Sequence, residues 1–111
     1  MLLAPYSRQS SIFAANILVS IFLKGDTGSE NMFNHVMVGA LDIDQSKKFY
    51  DAILGVLGID TGHRDSDVRC SYRGNGGIFM IKLPIDGNPA TVGNGSTVGF
   101  KANNQQEVEA W

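Results

Sequence analysis

Apolar and polar positions along the chain change period several times, and each change marks an element. His35 to Ala40 (His-Val-Met-Val-Gly-Ala) is an apolar, strand-like run. From Phe49 onward, Phe49, Tyr50, Ile53, Leu54 and Leu57 recur at helical spacing, while Lys47, Lys48 and Asp51 point elsewhere. Asp42 is placed to cap this helix, Gln45 completes a capping-box pattern, and Gly58 supplies the left-handed residue that ends it. Val68 to Arg73 alternates as a half-buried strand does, Gly74 to Gly77 is a turn, and Ile78 to Leu83 is a second strand. A hairpin is therefore predicted there, with a further short strand over Ile59 to Arg64. Pro84 to Gly95, rich in Gly, Pro, Asn and Asp, reads as a linker.

Beyond the linker the plan starts again. Thr97 to Ala102 repeats the strand, Asn104 takes the capping place of Asp42, and Trp111 lies fourteen residues from Thr97, as Phe49 lies fourteen from His35. A strand–helix unit recurring after about sixty residues points to a duplicated module, because neither copy can bury its sheet face alone. The second copy reaches only its first helix at Trp111, so one full module and one incomplete module are expected. Val98, Phe100, Val108 and Trp111 would then lack the strands that normally cover them, and the open sheet edge would accept a strand from another chain. A homo-oligomer is the expectation, with the cover supplied by a second copy or by the apolar segment Ile12 to Leu23 folded back.

Residues 1–31 read as an extension outside the modules. The run from Ile12 to Leu23 is about a dozen residues, short of the roughly twenty that span a bilayer, so no membrane partner is expected. Arg8 gives a weak basic start, but Lys24 to Glu30 offers no convincing cleavage site, which favours an apolar extension over a signal peptide.

Composition narrows the function classes. A chain of 111 residues with 43% hydrophobic content forms one globular domain. A net charge of -2 gives no basic field for a nucleic-acid backbone. The single cysteine, Cys70, excludes an intrachain disulfide and any multi-cysteine zinc site, and fits a reducing, cytoplasmic setting. Alternation with Val68 and Tyr72 makes it a buried small hydrophobe rather than a nucleophile.

Phe33-Asn-His-Val-Met-Val-Gly-Ala-Leu-Asp42, Ser46-Lys-Lys-Phe-Tyr-Asp-Ala-Ile-Leu-Gly55 and Leu57-Gly-Ile59 together resemble the opening of the vicinal oxygen chelate superfamily, which includes glyoxalases, bleomycin-resistance proteins and extradiol dioxygenases. Pro84 to Pro89 and Asn94 to Phe100 are similar to the linker and fifth strand of a glyoxalase-like branch. The resemblance covers Met32 to Trp111. It implies an α+β fold of paired βαβββ modules whose sheets form a cup around a small molecule and often a divalent metal. On this reading residues 32–83 are the first module, 84–95 the linker and 96–111 a truncated second module. The resemblance places His35 at the first metal-ligand position, but Ile78 to Leu83 contains no carboxylate and Thr97 occupies the third position. The resemblance implies a divalent metal in some full-length relatives; here no cofactor is assigned, since a Lewis-acid ion needs about three protein ligands.

The candidate cup residues follow from strand alternation. His35 and Met37 share a face with Gly39, and Arg69, Ser71 and Arg73 share a face of their strand. If the helix covers the opposite faces, these side chains and Thr97 look into the cup, where paired arginines suit a carboxylate or other anion. The alternative is that both arginines lie on a solvated face. His63-Arg64-Asp65 reads as an exposed turn, Asp67 and Asp86 have no partner that would make either a base, and Gly74 to Gly77 lacks the ending of a phosphate loop. Catalytic residues are not assigned. Three functions stay open: a lactoylglutathione-lyase-like or dioxygenase-like enzyme, a metal-free small-molecule sequestration protein, and a non-catalytic remnant acting as an oligomer.

Overall fold

The computed structural model describes residues 2–3, 18–23, 32–74 and 76–111, the first two segments as backbone only. Among the described residues nine elements follow in chain order: β1 (Leu2–Leu3), β2 (Leu18–Leu23), β3 (His35–Gly39), α1 (Ile43–Val56), β4 (His63–Ser66), β5 (Arg69–Gly74), β6 (Gly77–Lys82), β7 (Thr97–Ala102) and α2 (Gln105–Ala110). β3, β6, β5 and β4 form one sheet in that order, and β1, β2 and β7 form another. In the first sheet β3 runs parallel to β6, while β5 is antiparallel to both β6 and β4. The sequence β3-α1-β4-β5-β6 is thus one complete βαβββ module, and the fold class is α+β.

Both strand–helix units are built by the same local chemistry. Asp42 is extended and its Oδ1 accepts from the Gln45 N–H at 3.0 Å; Asn104 is extended and its Oδ1 accepts from the Glu107 N–H at 2.9 Å. Each cap satisfies a donor that the first helical turn leaves free. Two residues before each cap lies a buried alanine, Ala40 or Ala102. At its far end α1 is closed by Gly58 at φ 79°, with the Gly58 N–H donating to the Gly55 carbonyl and the Ile59 N–H to the Leu54 carbonyl. Those are the two bonds of a Schellman stop.

That stop corrects the expectation of a strand from Ile59. Ile59 is consumed by the helix terminus, and β4 begins only at His63. His63, Arg64 and Asp65, expected in a turn, are therefore strand residues, with a register shift between Arg64 and Ser66. The hairpin is as expected, displaced by one residue in each strand. Asn75 in its turn lies outside the described residues, as do residues 12–17 of the apolar run.

The core lies between the first sheet and α1 and continues into the second strand–helix unit. Ile43, Ser46, Tyr50, Leu54 and Leu57 face Val38, Cys70, Tyr72, Phe79 and Ile81. An aromatic series joins the halves: Tyr50 to Phe79 at 4.9 Å between ring centres, Phe79 to Phe100 at 5.1 Å, and Phe100 to Trp111 at 6.0 Å. Offset and edge-on pairs of this kind add to the area they bury.

One polar cluster locks the helix side of this sheet. The Asp51 carboxylate accepts from Lys47 Nζ at 2.7 Å, the Gly62 N–H at 2.8 Å and the Tyr72 hydroxyl at 2.8 Å. Burial alone would raise the Asp51 carboxyl, but the bonds from Gly62, Lys47 and Tyr72 outweigh it and hold it below its usual value. Burial pushes the Tyr72 hydroxyl well above its ordinary range, and its bond to Asp51 pushes in the same direction. Burial also raises the Cys70 thiol, whose side chain is enclosed as expected.

Candidate functional site

On β3, Val36 and Val38 turn toward the helix side, leaving His35 and Met37 exposed on the other. On β5, Cys70 and Tyr72 are in the core, so Arg69, Ser71 and Arg73 take the other face. On β6 the same alternation buries Phe79 and Ile81 and leaves Ile78, Met80 and Lys82 opposite. Strand register then sets three rows across this free face. His35, Ile78 and Arg73 form the first; Met37, Met80, Ser71 and His63 the second; Gly39, Lys82 and Arg69 the third. Five of the six candidate residues are thereby brought to one surface. Thr97 stands in the other sheet, exposed at the start of β7.

The polar contacts of this face are few. Asp65, at the irregularity in β4, accepts from Arg69 Nε at 3.1 Å and from Ser71 Oγ at 3.3 Å, with His63 Nε2 3.7 Å away. Ser71 is buried under this contact although it lies on the free face. His35 Nδ1 is 2.9 Å from the Asn34 side-chain oxygen. Lys82 is half-buried, and no hydrogen bond or ion pair within the described residues neutralises it. Arg73 is exposed and has no ion pair among the described residues. Among the described residues, Arg69, Arg73 and Lys82 share this face with one carboxylate, that of Asp65, already engaged by Arg69. The described side chains of this face carry an excess of positive charge.

At the Lys82 end of the sheet a groove of about 570 Å³ opens between Ala40, Leu41, Val68, Leu83 and the Pro84 to Pro89 stretch. Its walls are mainly apolar, and Leu41, Val68 and Ile85 are exposed there. Lys82 is its cationic side chain. A pocket with apolar walls and one directed charge suits a small amphiphilic ligand.

The residues around His35 do not fit a divalent metal. Its neighbours in register are Ile78 and the cation Arg73, and no group of three or more His, Cys, Asp or Glu side chains that could hold an ion occurs among the described residues. No helix among them is long and apolar enough to cross a membrane.

Lys82, Met80 and Asp65 are site residues that the sequence reasoning missed. Alternation from Ile78 already put Met80 and Lys82 on the face of Arg69 and Ser71, so those two were legible. Asp65 was not, because only the irregular register of β4 turns it toward Arg69.

A complete βαβββ unit, with its helix on one side of the sheet and rows carrying His35, Arg69, Arg73 and Lys82 on the other, has a glyoxalase-like fold. The solved structure of a glyoxalase/bleomycin resistance protein from Albidiferax ferrireducens is similar to this chain at 52% identity with a TM-score of 0.68, covering 72% of this chain. The chain belongs to that family, within the vicinal oxygen chelate superfamily. It spans 64% of the length of the Albidiferax structure. No family model matches the chain, and no curated protein matches it.

Proposed function

We propose that this chain binds a small anionic molecule, bearing a carboxylate or phosphate next to an apolar body, on the free face of the β3-β6-β5-β4 sheet. The observation that carries this reading is Lys82, half-buried at the mouth of an apolar groove, with no anion among the described residues to neutralise it. A partly desolvated ammonium gains from a charge-assisted bond to a ligand that it does not gain from water alone. Arg73 and the Asp65-held Arg69 extend the positive field across the face. Sequestration is favoured over metal-dependent lyase or dioxygenase chemistry, because His35 has a cation and an alkyl side chain where further ligands would stand.

The test is a nitrogen–proton NMR titration with benzoate and, separately, with uncharged benzamide. Benzoate is expected to shift amides around Ala40, Lys82 and Leu83, and Lys82→Gln is expected to abolish the response. Equal responses to the two probes, or a Lys82→Gln protein that still binds benzoate, would remove the basis of the proposal. Elemental analysis after dialysis tests the metal reading separately: a stoichiometric ion lost on His35→Ala would restore it.

A further inference from the structure

β7 lies beside β2 in parallel, with Leu18 opposite Thr97 and Leu23 opposite Ala102, and β1 pairs with β2 antiparallel. In the other sheet β3 lies beside β6 in parallel and β5 pairs with β6 antiparallel. Order and directions are therefore the same in β7-β2-β1 as in β3-β6-β5. Register fixes which residues correspond. Aligning the two units through their capping residues, Asp42 and Asn104, makes Val38 equivalent to Phe100. Val38 pairs with Ile81, and Phe100 pairs with Ile21. β2 thereby aligns with the sixth strand position by position: Leu-Val-Ser-Ile-Phe-Leu from Leu18 to Leu23 over Ile-Phe-Met-Ile-Lys-Leu from Ile78 to Leu83, with isoleucine and leucine shared at the same places.

From these coincidences we infer that β1 and β2 act as closing strands of the second module, contributed from the N-terminal side of β7. β1 and β2 do for β7 what β5 and β6 do for β3. The physical demand is plain. β7 carries Val98, Phe100 and Ala102 into the common core, and a strand so placed needs a ladder partner for its backbone groups. β2 is apolar at nearly every position, the composition of a strand flanked on both edges and covered on both faces. A freely projecting tail would have no use for it. This inference stands whether or not the cup binds an anion.

Cross-linking the 111-residue chain tests it. Val19→Cys with Val98→Cys places two thiols on directly opposed positions, whereas Val19→Cys with Phe100→Cys shifts the pair by two residues, to a Cα separation of about 8 Å that a disulfide does not span. Under mild oxidation the first pair is expected to close within one chain about tenfold faster than the second, read by intact mass and peptide mapping. A disulfide that joins two chains would show that the strand comes from a second copy, and equal rates for both pairs would show that the register is wrong; either overturns the inference. Because cysteines could disturb packing, hydrogen exchange on Val19→Pro and Ser20→Pro chains gives a second reading. Successive positions of a strand direct their amides to opposite neighbours, so at least one proline should strip protection from Thr97 to Ala102 while β6 keeps its own. Unchanged protection of β7 in both variants would also overturn it.

Discussion

Gly62 is the position where a single methyl group should do the most harm for its size. A Cβ there would lie 2.6 Å from Cys70 Sγ and 2.6 Å from Tyr72 Cζ, with Tyr72 Cε1 at 2.9 Å. Neither neighbour can step aside easily. Cys70 is enclosed in the core, and the Tyr72 ring is pinned by its hydroxyl bond to Asp51. Forcing extra volume into packed side chains costs about 1–3 kcal/mol. Relief by moving the Gly62 backbone would stretch its 2.8 Å bond to Asp51, and a hydrogen bond to a charged group is worth about 1.5–3 kcal/mol, taken at the low end because this carboxylate is partly solvated. The two routes compete and the cheaper one sets the cost, so Gly62→Ala is expected to destabilise by about 1–2 kcal/mol. Urea denaturation should show a midpoint lower by about 1 M at an unchanged slope. Adding Cys70→Ala removes one of the two clashing groups, so the double variant should lose less than the sum of the singles. A Gly62→Ala protein within about 0.5 kcal/mol of the parent, or strict additivity with Cys70→Ala, would refute the packing argument.

Two further outcomes follow from the same neighbourhood. Asp51 titrates below its ordinary value of 3.8 in the folded chain, so its contribution is fully present above that value and is lost as pH falls through the lower folded value; the stability deficit of Asp51→Asn should therefore be constant near neutrality and shrink on acidification, and a deficit that grows toward low pH in denaturation curves would contradict the assignment. Cys70, enclosed and with its thiol raised by burial, should resist a disulfide thiol reagent in the native protein and react as the chain's one thiol in denaturant, whereas rapid native labelling would show that the core opens around it.

The elements set by short-range chemistry were legible in the sequence. Asp42 and Asn104 cap their helices because the chain itself brings a carboxylate or amide oxygen within reach of the third following amide. Alternation assigned Cys70 and Tyr72 to the core and Arg69, Ser71 and Arg73 to the opposite face, because a strand has no freedom to do otherwise. The repeat of His35 to Phe49 in Thr97 to Trp111 pointed to a duplicated module, and the two copies do build matching strand–helix units.

Tertiary structure decided what depends on distant partners. The start of β4 moved to His63 because the Schellman stop of α1 uses Ile59, and the irregular pairing that follows turned Asp65 from a turn residue into the anchor of Arg69. Lys82 reads in sequence as one more surface lysine; only the fold of Pro84 to Pro89 over its end of the sheet makes it the half-buried cation of a groove. The place of Leu18 to Leu23 was the least legible of all. An apolar run announces that it must be covered, but hydrophobicity has no direction and no register, whereas the hydrogen-bond ladder along β7 has both.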